Sequence, residues 1–433
     1  MREFTVVVND CAAPPVPGLL SIRTRDTSFG ARNFALRFGD AVDGLPDRLN
    51  DRQMDWLEVL GSLFAVDMAC DRGRGDVDWA RMIDAYIPVR DPGHWARFRS
   101  QVEAIWSDLT QDDLTIHFEP DADPSAPPRQ SKTAFVEHDA VALLSGGQDS
   151  FAGALELLDQ GGRPLLLSHS ASGAVNTAQT QVEAILRGVF PDIMRVHVGA
   201  GKAGNQPFPG TESSQRSRTL MFVGVAALVA HAGGSNKVYL NENGIMAIHV
   251  PLTAARIGSL STHTASPPIV ARMQALANAM LGDGIEIRNN LVDRTKPDVV
   301  GAAVSLGHGD NMQHTVSCWQ IGRTRTHCGI CAPCIMRRIS CETHGIADVP
   351  YDLDIFEDAD ALADDRARDN LIHFLALVDD LSSLTDVELE YEYPELLSGA
   401  PAMTLAETIA LHRRWASQAD SVLQSHSVPV SLP

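Results

Sequence analysis

The chain has 433 residues, 44% of them hydrophobic, and a formal net charge of −20. That length can hold two or three domains with a sizeable core, and the acidity argues against an extended nucleic-acid surface, leaving room only for a local basic patch. No apolar run approaches the roughly 18 residues of a transmembrane helix, and the seven cysteines do not look like a secreted disulfide framework.

Residues 1–120 are expected to form an N-terminal α+β accessory domain. A strand-like run from Phe4 to Val8 opens it, with no long apolar signal region. A helix is expected from Asp51 to Cys70, where Trp56, Leu57, Leu60, Leu63 and Phe64 recur at helical spacing. A second helix falls near Arg97 to Asp108, and a strand, Leu114 to Phe118, closes the domain. The Pro- and Asp-rich stretch from Glu119 to Ser131 reads as a linker, placed at 121–137.

From 138 to 345 strand and helix patterns alternate. Strands are expected at Val141–Ser145, Pro164–Ser168, Met194–Val198, Lys237–Asn241 and Ile285–Asn289, with helices at Ser150–Gln160, Val175–Phe190, Ser214–His231 and Pro268–Leu281. Short apolar strands between helices predict an α/β fold, a doubly wound parallel sheet with ligands at the carboxyl ends of its strands. At one such end stands Ser145-Gly146-Gly147-Gln148-Asp149-Ser150. Glycines let a backbone approach a ligand, and the first amides of the following helix face outward with the dipole favouring an anion. The bland alternative is a Gly-Gly turn before a helix cap. The spacing is not that of a Walker loop; SGGxDS resembles the PP-loop of ATP pyrophosphatases, which implies a cradle for the pyrophosphate of ATP.

Other candidates follow along the chain. Ser168 and His169 leave the second strand, where adenine or ribose docks in such folds. Lys202 follows the third strand in the Gly-rich run Gly199 to Gly204. Arg216, Arg218 and Arg256 offer guanidinium forks that suit phosphate oxygens, or are plain surface arginines. Asn241, Glu242 and Asn243 leave the fourth strand and can pair with a purine-like base, or form a simple polar turn. Thr262, His263 and Thr264 can line a substrate carboxylate, with His263 available for proton transfer or merely hydrogen-bonded. Asp149 suits Mg²⁺ or caps the following helix.

Cys328, Cys331 and Cys334 form C-x-x-C-x-x-C, with Cys318 upstream. Four convergent thiolates meet the demand of tetrahedral structural zinc; an iron–sulfur cluster, a redox pair or free thiols are the alternatives. Trp319 to His327, polar and basic, can loop out between the first two ligands. Residues 346–433 are expected to be an acidic helical extension of packing helices, Arg366–Val378 and Leu405–Leu423, with no chemistry of their own.

The PP-loop and the C-x9-C-x2-C-x2-C pattern together resemble the QueC family, the 7-cyano-7-deazaguanine synthases, over about residues 138–345. The resemblance implies an adenine-nucleotide α-hydrolase-like (HUP) domain and an ATP-dependent carbon–nitrogen ligase that adenylylates a 7-deazaguanine-type carboxylate. Ser145, Gly146, Gly147, Gln148, Asp149, Ser150, Ser168, His169 and Arg216 would bind ATP and Mg²⁺. Asp149, Ser150 and Arg218 would act in the reaction, and the four cysteines would hold Zn²⁺. The chain departs from the housekeeping family in its N- and C-terminal additions and in Ser168-His169-Ser170-Ala171-Ser172-Gly173, where the family has an Asp-Tyr-Gly-Gln run. With Asn241-Glu242-Asn243-Gly244 and Ser214 to Arg218, these features are similar to the QueC-like proteins of the Qat anti-phage defence system (QatC). That implies a cytoplasmic enzyme whose amine acceptor is ammonia or an amine on a partner macromolecule, and protein partners from one operon. The competing readings are a PP-loop enzyme of tRNA modification and a nucleotide-binding scaffold without catalysis.

Overall fold

A computed structural model describes residues 2–426 except 73–79, 128–133, 171, 205, 211, 213, 253–262 and 358–362. In chain order its strands are β1 Arg2–Val8, β2 Leu20–Ile22, β3 Phe34–Arg37, β4 Arg81–Val89, β5 Asp113–Pro120, β6 Ala140–Leu143, β7 Pro164–His169, β8 Met194–Lys202, β9 Lys237–Leu240 and β10 Glu286–Asn289. They make two sheets, a four-stranded one ordered β2-β1-β4-β5 and a six-stranded one ordered β10-β9-β6-β7-β8-β3. The chain divides into two compact units: Met1–Val141 with Val196–Val238 and Ala271–Ile287, and Ala142–Arg195 with Tyr239–Val270 and Arg288–Pro433. Among the described residues no helix is long and apolar enough to cross a membrane.

In the first unit the four-stranded sheet is parallel throughout, where an α+β arrangement is expected from the sequence; β1 pairs β2 and β4, and β4 pairs β5, all in parallel. Pro88 within β4 argues against a central strand. The register resolves this. β1 covers β4 only up to Tyr86, so Pro88 faces β5 alone and its missing N–H breaks no ladder with β1. The helix Asp51–Ala69 starts with a capping box between Asn50 and Gln53 and buries Trp56, Leu60, Leu63 and Phe64. Its Asp67 joins Asp112 in holding the fully buried Arg81, at 2.7 and 2.5 Å. A carboxylate pair around a forked cation satisfies charges that would otherwise be costly to bury. β8 is longer than the sequence suggests. It runs through Gly199–Lys202 because β3 adds antiparallel to its end, pairing Phe34 with Lys202. Lys202 is therefore a strand residue, and its Nζ donates to Gly210 O at 3.2 Å.

In the second unit the helices Gln148–Asp159, Gly173–Val189 and Lys296–Ser305 pack around Leu144, Phe151, Leu155, Val182, Leu186 and Val300. A second core joins the cysteine segment to the C-terminal helices Asp365–Ser383 and Leu405–Ser425, with Ile335, Phe374, Leu411 and Trp415 buried together. The helix Lys296–Ser305 carries little periodic signal in the sequence and takes its apolar neighbours from the first of these cores, whereas Ala332–Thr343 is amphipathic and buries Ile335, Met336 and Ile339 in the second.

Candidate active site and thiolate centre

The stretch after β6 folds as a tight glycine loop, a candidate cradle, for local reasons. Gly146 sits at φ +85°, a left-handed conformation that L side chains avoid, and a Cβ there would lie 3.1 Å from the backbone nitrogen of Gln179. Gly147 is the N-cap of the helix Gln148–Asp159 and offers no side chain to its first amides, which leaves them without acceptors inside the helix. Ser145 Oγ donates to Ser150 Oγ at 3.0 Å and accepts from Gly147 N at 3.3 Å, while Ser150 Oγ donates to Gly147 O at 3.1 Å. The loop is fastened from outside by Val316 N, which donates to Gly146 O at 2.9 Å. Gln179 Nε2 donates to Ser145 O at 3.4 Å and to His169 O at 3.0 Å. The side-chain oxygens of Gln148 and Gln179 are buried without a hydrogen-bond partner, so polar capacity remains around the loop.

Asp149 is the charged member of the cradle and is 8% exposed. Its Oδ1 lies 2.8 Å from Lys296 Nζ, and its Oδ2 accepts from Asn243 Nδ2 at 2.8 Å and Asn243 N at 3.3 Å. Lys296 is the functional candidate that sequence reasoning missed. It occupies the first turn of the helix Lys296–Ser305, which opens with a capping box between Thr295 and Asp298. The T-x-x-D pattern before an apolar run was the available signal, though it marks a helix start and not a site. The pair combines a compact cation with a loop of unpaired amides, which is a binding chemistry for polyphosphate.

Asn243 also caps the short turn that follows it, its Oδ1 accepting from Met246 N at 3.2 Å. Next to it Gly244 is fixed by close approach: a Cβ there would sit 2.0 Å from Val292 O and 2.5 Å from Leu411 Cδ2. Gly244→Ala is therefore expected to destabilise the protein by about 3 kcal/mol through overpacking, measured as a lower urea midpoint. Asn241 lies over Gly153, and neither its amide oxygen nor its nitrogen has a hydrogen-bond partner. Glu242 is held by its backbone, donating to Asn289 Oδ1 at 3.1 Å and accepting from Asn289 Nδ2 at 2.8 Å, and its Oε2 accepts from Thr264 Oγ1 at 3.3 Å. His263 stacks at a tilt against His249, ring centroids 4.7 Å apart. Thr262 and Arg256 lie outside the described residues. Ser168 is fully buried and donates to Leu144 O at 2.7 Å.

Arg216 and Arg218 belong to the first unit, the cradle to the second. Arg216 is buried, and that burial, reinforced by the positive charge of Arg72, pushes its guanidinium down to about 10. Arg218 is exposed at the start of its helix and donates to Gln215 Oε1 at 3.2 Å.

The four cysteines converge. Cys318, Cys328, Cys331 and Cys334 are all buried, with their sulfurs within 4.8 Å of one another. Cys328 and Cys334 sulfurs lie 4.0 Å apart, close to the edge of about 3.8 Å for a tetrahedron of thiolates around zinc. Hydrogen bonds from Cys318, Cys331 and Cys334 hold the Cys328 thiol below its ordinary value, and such contacts push Cys334 up. Cys318 Sγ accepts backbone N–H bonds from Gln320 at 3.3 Å and Cys328 at 3.4 Å, the support a thiolate ligand needs. Cys331 caps the helix Ala332–Thr343, which carries Cys334 in its first turn. Cys11, Cys70 and Cys341 lie outside the cluster.

Comparison with known proteins places a family on part of this architecture. Residues 215–345 match the family of the queuosine biosynthesis protein QueC. A 7-cyano-7-deazaguanine synthase of Hydrogenovibrio crunogenus is 32% identical over 87 residues, 19% of this chain and 37% of that protein. One of Cupriavidus taiwanensis matches to the same extent, and one of Methylobacillus flagellatus is 38% identical over 84 residues, 18% of this chain and 36% of its own length. The chain thus spans little more than a third of these curated relatives. The family match begins after the glycine loop and contains Asn243, Lys296 and all four cysteines. This chain carries a QueC-like segment.

Proposed function

We propose that the protein is an ATP-dependent synthase that activates a 7-deazaguanine-type carboxylate by adenylylation and transfers the acyl group to an amine. The observation that carries this reading is the glycine cradle with Lys296 on Asp149, in a chain whose later residues are similar to QueC. A carboxylate oxygen attacks the α-phosphorus of ATP, the bond to the bridging oxygen breaks, and pyrophosphate leaves. The amine then attacks the acyl carbon, AMP departs, and the amine loses a proton. Open amides at the start of the helix Gln148–Asp159 and the Lys296 ammonium stabilise the charge that builds on pyrophosphate. Positioning of the carboxylate in line with the α-phosphorus supplies the remainder. Mg²⁺, expected with ATP, meets in Asp149 a carboxylate whose two oxygens already hold Lys296 and Asn243. Lys296 on Oδ1 and Asn243 on Oδ2 leave acceptor sites on this carboxylate, so Asp149 would hold Mg²⁺ directly or through water, and Lys296 shares the leaving charge.

Zn²⁺ would be held by Cys318, Cys328, Cys331 and Cys334, where it supplies folding energy and a fixed scaffold. The altered run from Ser168 to Gly173 and the additions at both ends support a product other than that of the housekeeping enzymes. We assign the acceptor as ammonia or an amine on a partner macromolecule of the same operon, in cytoplasmic anti-phage defence. The test is pyrophosphate release on mixing the protein with ATP and 7-carboxy-7-deazaguanine. Wild type is expected to release it, and Asp149→Ala to lower the rate by about a hundredfold while the circular dichroism spectrum is kept. No release from wild type, or undiminished release from the variant, overturns the reading.

A further inference from the structure

The C-terminal helix Leu405–Ser425 stands against the back of the cradle. Asp298, third residue of the helix that begins at Lys296, accepts from Gln418 Nε2 at 2.8 Å and from Arg414 Nε at 3.0 Å. Gln418 Oε1 accepts from the hydroxyl of the fully buried Thr295 at 2.7 Å, and Arg414 Nη2 donates to Asp293 O at 2.9 Å. Each of these bonds ends between Asp293 and Asp298, before or within the turn that delivers Lys296 to Asp149. One turn of helix earlier, Leu411 packs against Gly244, beside Asn243, the other partner of Asp149. Burial pulls the Asp298 carboxyl up, but the bonds from Gln418 and Thr295 and the charge of Arg414 outweigh it and hold the group below its ordinary value. The clamp is thus ionised and closed at neutral pH.

We propose that Gln418 and Arg414 are positioning residues: the C-terminal helix sets the turn that carries Lys296 and thereby the charge presented to the nucleotide. The inference rests on the proposed reading of the cradle as a nucleotide site. It gives the extension a role in the site beyond that of a packing element. Two long-range hydrogen bonds from one glutamine amide to both ends of a capping box fix the rotation of the first helical turn. Lys296 has four rotatable side-chain bonds, so its stem must be held at the base for the ammonium to stay in place.

The test uses the full chain with Gln418→Met, which keeps volume and removes both hydrogen bonds, and with Arg414→Met and Arg414→Lys. Two measurements are made on each. The first is titration with a nonhydrolysable ATP analogue, where Gln418→Met and Arg414→Met are expected to bind about tenfold more weakly and Arg414→Lys to recover most of the loss. In a Lys296→Met background Gln418→Met should add nothing, because both act through one group. The second is labelling of Lys296 by an amine-directed anhydride, read by mass spectrometry; it is expected to rise several-fold in Gln418→Met without nucleotide present. Unchanged labelling in a folded variant overturns the clamp whatever the nucleotide does. Additive effects in the Lys296→Met background overturn it too, assigning Gln418 a general structural role. Wild type that fails to bind the analogue rejects the nucleotide reading instead, and labelling still decides the clamp.

Discussion

Cys334→Ser is expected to abolish the proposed zinc binding and most of the stability. The four sulfurs are buried within 4.8 Å of one another, and they belong to the same core as Phe374, Leu411 and Trp415. Losing one ligand leaves three crowded thiols in apolar surroundings, where thiolates are costly without a cation. Structural zinc contributes about 10–16 kcal/mol in small sites, comparable to the whole net stability of about 5–15 kcal/mol of an ordinary domain. Elemental analysis should find one zinc per wild-type chain and none in the variant, and thermal melting should fall by tens of degrees or show no transition. A variant that melts like wild type would remove the metal from the account. Iron with acid-labile sulfide would replace zinc by a cluster and revive the tRNA-modification reading.

Lys296→Met should be nearly as damaging to turnover and more informative. The ammonium and the Asp149 carboxylate are both about nine-tenths buried and 2.8 Å apart. Removing one partner leaves a buried charge whose desolvation is no longer offset, a cost of about 3–5 kcal/mol for a fully buried pair and less here, since both groups keep some contact with solvent. Asp149→Asn leaves the opposite charge stranded and should cost a similar amount. The double variant Lys296→Met with Asp149→Asn strands neither. Its urea midpoint is expected to lie above that of either single variant, while pyrophosphate release stays about a hundredfold or more below wild type. Recovery of stability without recovery of rate separates the folding role of the pair from its chemistry. If the double variant is the least stable of the three, the pair is not the electrostatic unit described.

The parts of the site that could be read from the sequence are those made by neighbours in the chain. Ser145 to Ser150 lies between an apolar strand and an apolar helix, so the loop, its outward amides and the side of the sheet follow from local pattern alone. The cysteines are legible for the same reason, three of them within one knuckle and the fourth a short loop away. Lys296 was not legible, because its partner Asp149 sits four strands earlier in the chain and the meeting depends on packing between helices. The same holds for Gln418 and Arg414, whose bonds to Asp298 cross from the last helix; in sequence they are polar residues on an amphipathic helix and nothing more. β4 was hidden by Pro88, which is tolerated only because β1 stops short of it. Lys202 was misplaced because four small or flexible residues suggest a loop, and only the antiparallel addition of β3 makes them strand.

The bond from Val316 N to Gly146 O joins the glycine loop, the proposed nucleotide site, to a residue two positions before Cys318. Two ligands that order one shared segment must favour each other's binding, by the same factor in both directions. Zinc starvation in the cell would then cost affinity for nucleotide together with stability of the fold. A high ATP level would in turn slow the loss of metal to competing chelators. Supply of a trace element and energy charge would converge on one backbone hydrogen bond.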